Sequence, residues 1–128
     1  MQDLKFGSLK LPFKVNQIIC LEDRNTCLYG EVIQLIPSRK ICWFRPICMT
    51  IDNLDRDSGI QNRQLIHLQS GSDLLWPVSL FRAALDTEVI FLLGELDSLE
   101  KSIEDRLSCR QHLNQFIHQV WQNNQDKF

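Results

Sequence analysis

The sequence predicts an α+β chain: a small, strongly bent antiparallel β-barrel over residues 13–85, then a long helix or helical hairpin over residues 86–124. Three observations carry this. Between Val15 and Trp76 the apolar residues fall in short runs separated by polar or proline-containing turns, the spacing of strands. The run Lys40 to Ile51 is apolar at odd and even positions alike, as in a strand that curls from one side of a small core to the other. From Val89 onward the apolar residues recur every seven positions instead of every two.

Residues 1–12 read as a lead-in ended by Lys10-Leu11-Pro12, since the residue before a proline is pushed towards extended backbone. Val15 to Leu21 is a first strand, with Ile18 and Cys20 facing opposite Val15, Ile19 and Leu21. Glu22-Asp23-Arg24-Asn25 is a polar turn. Cys27 to Ile36 is a second strand, in which Gly30 marks a bulge or sharp bend. After the turn Pro37-Ser38-Arg39 comes the third strand, Lys40 to Ile51. Ile41, Trp43, Ile47, Met49 and Ile51 share one face, and Cys42, Phe44 and Cys48 the other. Arg45-Pro46 supplies its kink, because Pro46 has no N–H to give the ladder. Asp52 to Asn62 is a polar loop, the longest and most mobile connection. Leu65 to Gln69 is a fourth strand, Ser70 to Asp73 a turn and Leu74 to Trp76 a brief fifth strand. Pro77 suits the first turn of a helix or 3-10 segment. Five short strands, the third bent, fit an SH3-like (Tudor-like) barrel, with an OB-type barrel as the alternative.

The tail changes character. Asp86-Thr87 can cap a helix. Val89, Leu96, Ile103 and Ile117 occupy one heptad position and Leu92, Leu99, Leu113 and Val120 another; Arg106 and Arg110 interrupt the seam. A single helix from Thr87 to Asn123 would span roughly 55 Å at 1.5 Å per residue, more than a small barrel covers. A fold-back near Ser108–Gln111 is therefore expected, or packing of the far part on another chain. Gly94 costs about 1 kcal/mol in a helix and is read as permitting close packing.

With 44% hydrophobic residues the chain builds a real core, and with a formal net charge of −2 it is neither a disordered tail nor a strongly basic nucleic-acid binder. Residues 1–75 carry nine Lys/Arg against eight Asp/Glu, and residues 76–128 five against eight. No apolar run is long enough to span a membrane, and Met-Gln-Asp-Leu-Lys lacks a signal-peptide core, so a cytoplasmic protein is expected. In that compartment Cys20, Cys27, Cys42, Cys48 and Cys109 read as small buried hydrophobes.

Candidate chemistry is sparse. The cysteine spacings do not match a zinc knuckle, and His112 and His118 fall on different sides of a helix. His67 has no nucleophile elbow, P-loop or zinc-protease motif beside it. No catalytic group, metal or cofactor is therefore expected. The candidate protein-binding residues are the aromatics and aliphatics crowding the end of the barrel and the last helical turns: Trp76, Phe81, Leu113, Phe116, Ile117, Val120 and Trp121. These point to a non-enzymatic adaptor or regulator that binds another protein through the helical tail or the barrel edge, or associates with itself through the C-terminal helix. The alternative is a small-barrel RNA or DNA binder using Arg39, Lys40, Trp43, Phe44 and Arg45, where aromatics for stacking lie among basic groups.

The stretches YGEVIQLIPSRKICWFRP (Tyr29–Pro46) and LLWPVSLFRAAL (Leu74–Leu85) resemble segments of small cyanobacterial proteins with an SH3- or Tudor-like barrel followed by helices. The order of parts is also similar to that of the cyanobacterial co-regulators that bind the PII signalling protein and a transcription factor. The resemblance implies architecture; no binding residue is carried over, because no residue-level motif is shared.

Overall fold

A computed structural model of the chain describes residues 11–54, 61–68, 72–97 and 103–128. Its elements are β1 (Ile18–Asp23), β2 (Thr26–Ile36), β3 (Ile41–Leu54), β4 (Gln61–His67), β5 (Leu74–Pro77) and β6 (Phe81–Ala83), then helices α1 (Asp86–Asp97) and α2 (Ile103–Asn123). The fold is α+β, a six-stranded antiparallel sheet followed by two helices. The strand order is β4-β3-β2-β1-β6, and β5 also pairs with β3. β4 and β5 lie end to end along the same edge of β3, opposite residues 48–54 and 41–44 respectively.

The two longest strands, β2 and β3, bend together. Tyr29 lies opposite Cys48 and Gly30 opposite Pro46, so Ile47 has no counterpart on β2 and forms a bulge; a second shift leaves out Ile33. The bulge reverses the alternation along β3. Before it Cys42 and Phe44 face the main core; beyond it Met49 does, and Cys48 turns to the other face. Proline is tolerated here because the ladder is already interrupted. Gly30 is there for space: a Cβ on it would lie 2.4 Å from both the Arg45 carbonyl oxygen and the Phe44 ring.

The bend has to be large. From β5 to β6 the path crosses four strand spacings, about 19 Å in a flat sheet. Only the 3-10 turn Val78–Leu80 joins these two strands, and four residues span at most about 14 Å even when extended. The sheet is therefore rolled, although among the described residues no ladder joins its two outer strands. The roll encloses Ile19, Leu21, Leu28, Val32, Phe44, Met49 and Phe81, with the Phe44 and Phe81 rings 4.8 Å apart.

Both faces of the sheet are covered. On the inner face α2 lays Leu113, Phe116 and Val120 into the main core, with Cys109 and Ile117 beside them, a stripe at helical spacing. On the outer face Cys20, Cys27, Tyr29 and Cys48 pack under Leu92 of α1. All five cysteines are free, four of them buried. Burial pushes the Cys48 thiol up to about 12 and that of Cys42 up to about 11, so both are held as inert thiols.

Several expectations need correction. A sixth strand, Phe81–Ala83, follows the 3-10 turn; three residues are too few to display an alternating pattern. The ladder between β3 and β4 runs on through Leu54 and Gln61, because backbone pairing continues through polar residues where both strands are extended; of the expected long loop, residues 55–60 lie outside the described residues, as do residues 1–10 of the lead-in. α2 passes unbroken through Arg106 and through Ser108–Gln111: Arg110 is exposed, and charged residues at the edge of an apolar stripe do not break a helix. Residues 98–102, between the two helices, lie outside the described residues. Nothing lies within 4 Å of where a Gly94 Cβ would be, so this glycine is not explained by packing.

Two substitutions test this account. Gly30→Ala forces β2 away from Phe44 and the Arg45 carbonyl and should cost at least about 2 kcal/mol in a urea unfolding titration. Gly94→Ala meets open space and should stabilise the same transition by about 0.5–1 kcal/mol.

Candidate functional site

Helix α1 is the element whose sequence and surroundings agree least. It follows β6 after two residues, and its first turn is tied to the sheet by one polar cluster. The Glu88 carboxylate accepts hydrogen bonds from Arg82 Nη1 at 3.0 Å and Nη2 at 3.1 Å, and from the Tyr29 hydroxyl at 2.5 Å. It also accepts from the Leu85 backbone N–H at 2.9 Å, the reach-back half of a capping box. Glu88, rather than Asp86 or Thr87, thus serves the start of the helix. Arg82 turns its Nε to Glu22 on β1. The Arg82 guanidinium, helped by Tyr29 and the Leu85 N–H, holds the Glu88 carboxyl down at about 2, while burial and the neighbouring carboxylate keep Tyr29 protonated.

This anchoring commits one side of α1 to the sheet and leaves the other in solvent. Leu92 is buried and Val89 half-buried, but Ile90 is 72% exposed, Phe91 51% and Leu93 56%, and Leu85 just before the helix is 63% exposed. Gly94 adds a bare stretch of backbone one turn from Ile90. The helix carries Asp86, Glu88, Glu95 and Asp97 and no basic residue. Asp86 and Glu95 are exposed beside this apolar outer face, while Glu88 is engaged by Arg82 and Tyr29. Isolated exposed apolar side chains are ordinary; several on one short helix are not.

Sequence reasoning missed this face although the signal was there. Val89-Ile90-Phe91-Leu92-Leu93 is five apolar residues in succession, which a helix must distribute around its whole circumference. The heptad reading used only Val89 and Leu92.

Most of the residues expected to bind a partner are occupied elsewhere. Phe81, Leu113, Phe116 and Val120 are core residues, and Trp76 and Ile117 pack half-buried against that core. Trp76 also meets the Phe128 ring edge-on at 5.1 Å. Trp121, 44% exposed and stacked on His118, is the one member of the set left largely in solvent. The reason is that the sheet's inner face has room for Leu113, Phe116, Ile117 and Val120 of α2.

The five residues of the expected nucleic-acid cluster do not form one surface. Phe44 is fully buried. Trp43 donates its indole N–H to Asp73 at 2.8 Å, and Arg45 grips the same carboxylate with Nε at 3.1 Å and Nη2 at 3.0 Å, which holds Asp73 below the usual carboxylate range. Arg39 and Lys40 sit at the 3-10 turn Pro37–Arg39 and its C-cap, with no hydrogen bond to Asp73 among the described residues. His67 is half-buried in β4, opposite Cys48. Among the described residues no three His, Cys, Asp or Glu side chains converge on a point that could hold a metal ion, and no helix is long and apolar enough to cross a membrane.

The pH dependence of the α1 anchor follows from the sign of the Glu88 shift. Its folded pKa lies below the ordinary 4.5, so the interaction stabilises the fold above that pH and is lost as pH falls towards 2. Glu88→Gln should lower stability at neutral pH by about 1 kcal/mol, the Arg82 side chain being partly solvent-screened. It should also flatten the acid limb of a melting-temperature profile between about pH 4.5 and 2 relative to wild type. Comparison with known proteins finds no match for the chain among protein-family models, curated proteins or solved structures.

Proposed function

We propose that this protein is a non-enzymatic interaction module that binds another protein through its helical part, the contact surface being the outer face of α1. The observation that carries the proposal is the exposure of Ile90, Phe91, Leu93 and Leu85 on an element held rigidly to the sheet by Glu88, Arg82 and Tyr29. A preorganised helix face loses little conformational entropy on binding. The bare backbone at Gly94 would let a partner helix approach closely, which offers a reason to keep a glycine that packs on nothing among the described residues. The exposed acids Asp86 and Glu95, with no basic residue on the helix, select the partner's chemistry: an amphipathic segment with apolar anchors and basic flanks. Two copies of α1 would instead bring acidic residues together.

The same reading takes the rolled sheet as a small barrel of the SH3-like type, as in the cyanobacterial barrel-plus-helix proteins it resembles. The short 3-10 link from β5 to β6 and the pairing of β6 with β1 support it. It places the protein in the cytoplasm, where reducing conditions suit five free thiols.

The test is a set of variants that leave the core untouched: Ile90→Gln combined with Leu93→Gln, and Trp121→Gln as a control on α2. In quantitative capture from native extract, the partner held by wild type should be lost with the double variant and kept with the control. Cross-linking should then join the partner's basic segment to α1. Equal capture by all three proteins would sink the proposal. Light scattering on the free protein tests self-association through the same face; a dimer broken by the double variant would replace the basic partner with a second copy.

A further inference from the structure

A second site lies away from the outer face of α1 and does not depend on that reading. The 3-10 turns Pro37–Arg39 and Val78–Leu80 border a cavity of about 740 Å³, within the size range of small-molecule pockets. Ile41, Val78 and Phe81 form its apolar floor, with Leu75 and Phe128 at its sides. Phe81 and Val78 are themselves buried members of the main core, so the floor is the outer edge of that core, and the half-buried Ile41 extends it.

The charged groups lining the cavity are Arg39, Lys40 and Lys127; no acidic side chain lines it among the described residues. In a chain of net charge −2, three cations around one apolar cavity form a local field of opposite sign to the whole. None of the three pairs with a carboxylate among the described residues, unlike Arg45 and Arg82, which do. The backbone that carries two of them is fixed. Lys40 sits in the left-handed region at φ 55°, with its N–H donating to the Pro37 carbonyl at 3.2 Å and its own carbonyl accepting from the Val78 N–H at 2.9 Å. A lysine held in a conformation that side chains rarely adopt, at the rim of an apolar cavity, suits a site in which the cation matters more than the turn.

We propose that this cavity binds a small organic anion with an apolar body, such as a medium-chain carboxylate. The apolar part lies on Ile41, Val78 and Phe81, and the anionic head is held by Arg39, Lys40 and Lys127. The apolar floor supplies affinity in proportion to the area covered, and the cations supply the choice of charge.

Titration calorimetry with decanoate, and with decylammonium as the cation of equal chain length, tests the proposal. Decanoate should bind saturably at one site, more weakly as salt rises, and decylammonium should not. Arg39→Gln with Lys127→Gln replaces two exposed side chains, and should weaken decanoate binding about tenfold at low salt while leaving the circular dichroism and melting temperature unchanged. Amide chemical-shift changes on adding decanoate should centre on Ile41, Val78 and Phe81. Equal binding of the two amphiphiles, undiminished binding by the double variant, shifts centred elsewhere, or no saturable decanoate binding below the millimolar range would each overturn it.

Discussion

Gly30 and Pro46 face each other where β2 and β3 bend, and the rest of the architecture follows from that contact. The absent side chain at Gly30 lets the Phe44 ring and the Arg45 carbonyl approach the β2 backbone. The extra residue, Ile47, then shifts β3 by one position and exchanges its faces. Without that exchange Met49 would point away from the core that holds Phe44, and β3 could serve only one of the two layers it now joins. The roll it permits brings β5 close enough to β6 for a single 3-10 turn to connect them.

Rolling divides the hydrophobic material between two places. The inner face has room for the stripe Leu113, Phe116 and Val120, so α2 is spent on stability. The outer face, with its three cysteines and Tyr29, is shallower and buries Leu92 alone of the helix, with Val89 and Leu93 lining the edge of the contact. An anchor of charged and phenolic groups then holds α1 where apolar packing alone is thin. Hydrogen bonds to a carboxylate are directional, so this anchor fixes which side of the helix meets the sheet, and with it which side meets solvent. The apolar residues left outside follow from where Glu88 and Arg82 sit, and they give the protein the surface from which a partner-binding role is argued.

A separate economy operates at the end of the sheet where the two 3-10 turns meet. Val78 and Phe81 complete the core from within and remain the floor of a cavity on the other side. The turn bearing Arg39 and Lys40 is braced against the Val78 backbone. Charge and apolar surface are thus held side by side by main-chain hydrogen bonds, which do not depend on the identity of the side chains they display.

The amino-acid sequence by itself determined the α+β class, the order of strands before helices, the kink at Arg45-Pro46, the bend at Gly30 and a helical or 3-10 turn after Pro77; it also read all five cysteines as buried, which holds for every one but the half-buried Cys109. These are local matters: periodicity, proline and glycine geometry, and the apolarity of short runs act over a few residues and are visible in them. Only the tertiary structure decided which apolar residues are used up. Phe116 and Phe91 are equally apolar in the sequence, yet one is core and the other half in solvent, because the inner face of the sheet is deep and the outer face is not. Trp43, Phe44 and Arg45 are neighbours in the chain, yet strand alternation sends Phe44 into the core while Asp73, distant in sequence, takes up its two neighbours. The cavity at Arg39, Lys40 and Lys127 joins residues far apart in the chain, and no spacing rule connects positions that meet only in the folded structure.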